Sequence, residues 1–453
     1  MAGLGRPAAA RSAREARTAG SRLVPGDGEH PENDWYRRTR TRILVRVSHS
    51  ITLADYRAAL RTPGATAPVL TSLLGRLPIA MIGLALLLYV QKVTGSFATA
   101  GLVSAAELVG VACGSVVQSR VIDRIGPTRP MVLMSAALAV FVAAEITAIE
   151  SGAPVVVLTA LGFLLGASQP TVAPASRALW AQLLPAGPAR DAAYSYEAIS
   201  MEVFFILGPG LAGLLVALPW AGAGVVAGSA CMIVGSIGFA STRAARRLRP
   251  QDDSRTSGGM LGALRAPGMR TVALAALGFG CLIGFVEVGV PASAVAAGAP
   301  NAGGLLLSAL SVTSVVFGVL YGMRPWPRPM HLRLPALLLG FAGLVALLAL
   351  PGTLWGLCLA LLLAGCLITP QSTAHSVALD LAAPAGTETE AFGWVVTAVT
   401  LGAAAGQSIS GRIVESAGPP AAFLLAGVVG VVLAAGLWVR RGTLLPVREP
   451  ALV

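Results

Sequence analysis

Ala59-Leu60-Arg61-Thr62-Pro63-Gly64 stands before one long apolar run, and Ala263-Leu264-Arg265-Ala266-Pro267-Gly268 stands before another, 204 residues on. The same offset carries Gly114 onto Gly318. At an offset of 200, Pro170, Ser176, Ala178 and Leu179 recur as Pro370, Ser376, Ala378 and Leu379, and Pro-Ala-Gly follows at 185–187 and 384–386. Gly208 and Gly213 recur as Gly406 and Gly411. Ordered matches at a nearly constant offset indicate a chain built twice over, with both copies in the same orientation. Parallel repeats of apolar segments are the pattern of carriers whose halves rock about a central site.

Outside the repeat, composition points the same way. Residues are 55% hydrophobic and 12% charged, and mean hydropathy is +0.74; a soluble chain carries about 25% charged residues. The 53 glycines suit helices that pack closely in lipid. A span needs about 20 apolar residues, and helices satisfy their own backbone groups in the bilayer. Twelve spans are expected, near 67–90, 98–118, 130–150, 153–175, 194–217, 219–240, 270–295, 302–322, 333–350, 353–378, 390–412 and 420–440. The fold class is an all-α membrane protein, with twelve transmembrane helices in two pseudo-symmetric six-helix bundles.

The expected organisation is a basic, disordered arm at 1–51, a first bundle at 52–240, a loop at 241–269, a second bundle at 270–441 and a tail at 442–453. Residues 52–61 read as a short helix lying against the membrane. The arm contains no apolar core of signal-peptide length, and Arg37-Arg38 lacks the apolar stretch of a twin-arginine signal.

The net charge of +12 would suit nucleic acid, but its distribution excludes that partner. Arg120, Arg124, Arg129, Arg177, Arg190, Arg324, Arg328, Arg333, Arg440, Arg441, Arg448, the run from Arg243 to Arg270 and the arm all fall on one side, leaving Lys92 and Arg412 on the other. By the positive-inside rule both termini are cytoplasmic, in the cell membrane. The basic arm could bind anionic lipid. Cys113, Cys231, Cys281, Cys358 and Cys366 lie in apolar segments without metal-ligand spacing, so neither disulfide nor metal is expected. There is no phosphate-binding Gly-x-x-x-x-Gly-Lys-Ser/Thr loop and no hydrolytic constellation, so the expectation is neither an enzyme nor a cofactor protein.

Ionisable groups deep in lipid cost a few kcal/mol each and call for a reason. Arg76, Glu107 and Glu202 lie roughly 13 Å deep by helical rise, and Glu287 lies nearer the outer end of its span. Arg76 is expected to pair with Glu107 or Glu202. Two readings stay open: a static pair locking one bundle, or a carboxylate that takes up and releases a proton as its partner moves. Glu145 and Glu197, near span ends, are expected to be solvated.

Ser119-Arg120-Val121-Ile122-Asp123-Arg124-Ile125-Gly126-Pro127-Thr128-Arg129 resembles the loop motif of the major facilitator superfamily, with Ser119 for its first Gly and Pro127 for a basic residue. The likeness runs from about residue 52 to 441. It implies that Asp123, Arg124, Gly126 and Arg129 latch the halves in one conformation; the alternative is a plain basic loop. Gly208-Pro209-Gly210-Leu211-Ala212-Gly213 is similar to the end of the family's antiporter motif, with Ala212 for a Gly. There Pro209 would bend the helix while Gly208 and Gly213 allow close packing. Gly162 stands where drug exporters of the family carry an arginine. By the same resemblance the fourth and tenth spans border a substrate cavity, which makes Gln169, Gln371, Ser372, Thr373, His375 and Trp394 candidate lining residues. A lone histidine such as His375 is more often a packing residue than a proton relay.

Taken together, these features lead to an expected secondary transporter that exports a small amphipathic molecule against protons. The alternatives are a carrier of a sugar or other polar metabolite, and a transporter fold serving as receptor or scaffold.

Overall fold

A capping box opens the described chain. The Thr52 backbone N–H donates to the Asp55 carboxylate at 2.8 Å and the Thr52 hydroxyl accepts from the Asp55 N–H, starting α1 (Leu53–Leu60). The computed structural model describes residues 52–185, 187–248, 262–323, 328–384 and 387–444. The expectations for the arm at 1–51, for residues 249–261 of the 241–269 loop and for the tail from 445 lie outside these residues.

After α1, apolar runs and loop breakers set the helices. The first span is α2 (Thr66–Arg76) and α3 (Ile82–Thr94), joined by a 3₁₀ turn at Leu77–Ala80 that contains Pro78. Then come α4 (Phe97–Ile125), α5 (Thr128–Glu150), α6 (Val155–Ala167), α7 (Val172–Leu183), α8 (Pro188–Val216), α9 (Ala223–Ser241) and the short α10 (Arg243–Arg246). The second half has α11 (Pro267–Ala296), α12 (Ala302–Met323), α13 (Met330–Leu347), α14 (Leu354–Gly365), α15 (Ile368–Ala382), α16 (Glu388–Ala417) and α17 (Pro419–Arg440). Among the described residues 11 helical stretches are long and apolar enough to cross a bilayer, with α2–α3, α6–α7 and α14–α15 each counted as one, and Ala302–Gly318 of α12 is a shorter apolar helix. With it the chain has twelve spans in two six-helix bundles, as expected, and among the described residues no strand occurs.

The repeat is visible in the packing. Gly114 on α4 lies against the Ala167 backbone, and its counterpart Gly318 on α12 lies against the Thr369 side chain. Gly166 faces the carbonyl of Glu107 as Gly365 faces that of Leu310. In each case a Cβ would overlap its neighbour, so glycine sets the helix separation. The fourth and tenth spans both break, at 168–171 beside Pro170 and at 366–367 just before Pro370. α1 packs on α8 rather than lying only against the membrane, and Ala59 is buried with Trp180 and Ala193.

Candidate functional site

The two bundles meet where α4 faces α16 and where α8 faces α12. Both seams are built on glycine. Gly101 sits on the Gln407 carbonyl and Gly411 on that of Phe97. Gly304 packs against the Pro209 carbonyl and the Gly213 backbone, and the Ser308 hydroxyl donates to the Ile206 carbonyl at 2.6 Å. Gly208 meets Ala80 in the first span's 3₁₀ turn. The helix α8 is assigned without interruption through Pro209, so the segment from Gly208 to Gly213, read from the sequence as a bend, is also a contact surface between the halves. At the end of the α4–α16 seam the Glu415 carboxylate accepts from the Ser96 hydroxyl at 2.7 Å and the Ala98 N–H at 2.8 Å. These approaches all lie toward one face of the molecule, here termed arginine-poor. The opposite, arginine-rich face carries Arg57, Arg124, Arg129, Arg177, Arg190, Arg246, Arg265 and Arg440 at helix ends and loops.

Below the seal lie two carboxyl groups. Glu107, ten residues into α4, is 2% exposed; its Oε1 accepts from the Gln169 side-chain amide at 2.5 Å and its Oε2 has no partner. Glu287 on α11 accepts from the Gln407 side-chain amide on α16 at 2.7 Å. The two carboxyl groups come one from each bundle, and the half-buried Glu287 is tied through Gln407 to α16, the helix that faces α4. Each lies about 15 Å from the arginine-poor helix ends by rise. Gln169 belongs to the break in the fourth span, which Gln118 stitches. The Gln118 amide donates to the carbonyls of Ala167 at 3.1 Å and Gln169 at 2.9 Å, and its Oε1 accepts from the Thr171 N–H at 3.1 Å. One side chain thus satisfies backbone groups that a broken helix leaves open in lipid.

Arg76 does not join this site. It pairs with Glu197 at 3.8 Å, both side chains being less than 5% exposed, and its guanidinium donates to the Glu197 carbonyl at 3.1 Å. Glu197 also accepts from the Ser176 hydroxyl and from the Trp180 indole, and the Phe204 ring lies 6.0 Å from the Arg76 guanidinium carbon. The expected pairing of Arg76 with Glu107 is therefore corrected, and so is the expected solvation of Glu197 and Glu145, both buried. The Glu202 side chain lies outside the described residues.

Three further expectations meet the structure unevenly. His375 and Gln371 are buried, 3.2 Å apart, with the Phe279 ring of α11 edge-on to the histidine. They pack inside the second bundle instead of lining open space, because α15 turns that face to α11. Trp394 borders a cleft of about 290 Å³ between α11 and α16 with Arg270, Leu274 and Leu401. In the α4–α5 loop Gly126 has a φ of +80°, which only glycine adopts without strain. Gly126 and Arg129 border a cleft of about 410 Å³ closed by Ala245, Arg246 and Leu248, so the loop packs on α10 of its own bundle. Arg124 is exposed, and the Asp123 side chain lies outside the described residues.

Sequence reasoning missed Gln118, Gln407 and Glu415. Each is a polar residue in a membrane-spanning helix, and Gln407 sits next to the repeated Gly406, which was the available signal.

Comparisons with known proteins agree with this architecture. The family model of the Major Facilitator Superfamily matches residues 69–389. The search of curated protein sequences finds no match. Among solved structures, the nucleoside transporter NupG superposes with a TM-score of 0.66 at 13% identity, covering 83% of this chain and 98% of that one. A POT family transporter in complex with a thioalcohol-conjugated peptide gives 0.62 at 13% identity, covering 84% and 96%. The human organic anion transporter TETRAN gives 0.56 at 17% identity, covering 83% and 99%. The chain is a multi-pass membrane transporter that belongs to the Major Facilitator Superfamily.

Proposed function

We infer that this transporter exports a small amphipathic molecule from the cytoplasm against proton entry, by alternating access. The observation that carries the reading is the placement of Glu107 and Glu287. One carboxyl group from each bundle, Glu107 buried and Glu287 half-buried, lies just under a seal that, among the described residues, is built in the arginine-poor half. A seal on one side only suits a carrier open to its other side. Taking the arginine-rich face as cytoplasmic, in the cell membrane, this state awaits cargo from inside.

Two carboxyl groups in one poorly solvated site repel when both are charged, and a proton on either relieves the repulsion. Among the described residues neither has a basic partner. When the bundles rock apart on the arginine-poor side the pair meets outside protons; when they close there, it faces the cytoplasm. Arg76 and Glu197 fit the static role, tying α2 to α7 and α8. The α4–α5 loop residues Asp123, Arg124, Gly126 and Arg129 would latch the halves in the opposite state. A polar-metabolite carrier is less well supported, since Gln371 and His375 are packed away.

Proteoliposomes holding the full chain and an imposed pH gradient test the reading with ethidium as an amphipathic probe. Wild type should move the dye against the proton gradient, with dye-linked proton flux. Glu107→Gln and Glu287→Gln should each abolish gradient-driven movement while leaving the protein folded. Dye movement that ignores the gradient, or variants as active as wild type, would overturn it.

A further inference from the structure

The side chain and the main chain of Gln407 on α16 serve different helices. Its side-chain amide donates to Glu287 Oε2 on α11 at 2.7 Å. Its backbone carbonyl lies on Gly101 of α4, in the other bundle, where a Cβ would overlap it. Neighbouring contacts fix the register on either side. Gly406 lies on the Cys281 carbonyl, the Ser410 hydroxyl donates to the Phe285 carbonyl at 3.3 Å, and Gly411 lies on the Phe97 carbonyl. Gln407 is 4% exposed, and among the described residues its Oε1 has no hydrogen-bond partner.

The buried Gln118 of the first bundle is used differently. It donates to the carbonyls of Ala167 and Gln169 and accepts from the N–H and hydroxyl of Thr171, so turning its amide would break four bonds. A half turn of the Gln407 amide breaks one. That turn exchanges N–H for C=O at nearly the same place. A charged carboxyl group only accepts, whereas a protonated one also has an O–H to donate. The position 2.7 Å from Glu287 therefore suits the charged group in one orientation of the amide and the protonated group in the other. Other ionisable groups on the surrounding helices are Glu107 on α4, Lys92 on α3, which donates to the Val216 carbonyl, and the exposed Arg412 and Glu415 on α16. His375 of α15 packs on Phe279, toward the arginine-rich end of α11. α12 contains no Asp, Glu, Lys, Arg or His, and α13 and α17 hold theirs at the arginine-rich end.

We propose that Gln407 is the positioning residue of Glu287, donating to its carboxyl group when charged and accepting from it when protonated, so that the proton binds and leaves while the arginine-poor side stays sealed. The proposal rests on the reading of Glu287 as a proton-binding group. In the step itself one O–H bond forms on Glu287 as one is lost from a hydronium ion of the water on the arginine-rich side. The amide then turns, and no other bond to hydrogen within a group is made or broken. With Gly101 against its carbonyl, the buried amide occupies the place that water would otherwise fill beside Glu287.

Infrared spectroscopy of the full chain in nanodiscs, titrated with acid in the absence of substrate, tests the assignment. Wild type should gain a protonated-carboxyl stretching band that Glu287→Gln removes. Gln407→Met keeps the length of the side chain and removes both ends of the amide. It should move that band to higher wavenumber, because the O–H loses its acceptor. With glutamine side-chain carbonyls labelled with ¹³C, acid should also shift an amide band in wild type, and Glu287→Gln should abolish the shift. That second readout does not depend on the methionine variant folding. If Glu287→Gln removes no band at any pH, the proton-binding reading falls and this proposal with it. A Glu287 band that Gln407→Met leaves in place, or a labelled amide band that acid does not move, overturns the role of Gln407 alone.

Discussion

The crossing of the first span with α8 and the crossing of α11 with α16 occupy equivalent places in the two bundles, yet they are made of opposite materials. In the first bundle a buried arginine and glutamate, a tryptophan N–H and a serine hydroxyl fill the space between α2, α7 and α8. In the second, Gly280 and Gly284 lie on the carbonyls of Val399 and Ala403, while Gly402 and Gly406 lie on those of Leu277 and Cys281. Gly280 stands 204 residues beyond Arg76, the offset that relates the two halves. Where one bundle holds its helices apart around charge, the other brings backbones into contact. The charged crossing depends on its partners staying together, because lipid offers no replacement for either; the glycine crossing depends on shape alone.

That contrast is broken most severely by removing one charge. Arg76→Met leaves Glu197 buried without its cation and should cost about 3–5 kcal/mol of stability, read as a large fall in melting temperature of the detergent-solubilised protein. The double variant Arg76→Met/Glu197→Gln should recover most of the loss, since an uncharged pair leaves no stranded charge. If the double variant melts no higher than Arg76→Met alone, the first bundle is not held by charge pairing and the contrast fails.

A methyl group tests the other side. Gly284→Ala puts a Cβ into the Ala403 carbonyl, and overpacking of this kind costs about 1–3 kcal/mol. Gly343 on α13, where a Cβ would meet nothing within 4 Å, is the control, and Gly343→Ala should leave the melting temperature unchanged or slightly raised. Equal tolerance at both positions would mean that the second bundle does not rely on backbone contact.

The duplicated glycine pattern was more legible in the sequence than the partners of the buried charges, and the reason is geometric. Apolar runs and repeated glycines are local patterns, so twelve spans, the duplication and the pairing of Gly114 with Gly318 follow from spacing alone. A charge's partner depends on where each helix starts. Starting the fifth span near residue 194 places Glu197 at the water's edge, whereas α8 begins at Pro188 and carries Glu197 nine residues in. The break at Leu77–Ala80 further ends α2 at Arg76, so depth counted along an uninterrupted helix misplaces its side chain. Glu107 was identified by depth, but its bond with Gln169 depends on a break in the fourth span that spacing does not show. His375 was marked as a cavity residue because its span borders the cavity; the face that it occupies was not readable from spacing.

The two bundles also differ in what each offers across the seam, and this yields the smallest effect. Glu415 belongs to the glycine-packed bundle and caps the start of α4 in the other, accepting from Ser96 and Ala98. These bonds span the halves, so they belong to the state in which the arginine-poor side is sealed and are lost when that side opens. Either bundle keeps its own interior when they break. Glu415→Gln should therefore leave the melting temperature near that of wild type. Being water-accessible, the contact is worth about 1 kcal/mol, roughly a fivefold change in the balance between the two openings. Spin labels on the arginine-poor ends of α4 and α16 would report that change as a larger share of long distances. A fall in melting temperature with unchanged distances would place Glu415 in the fabric of its own bundle instead of in the seal between the two.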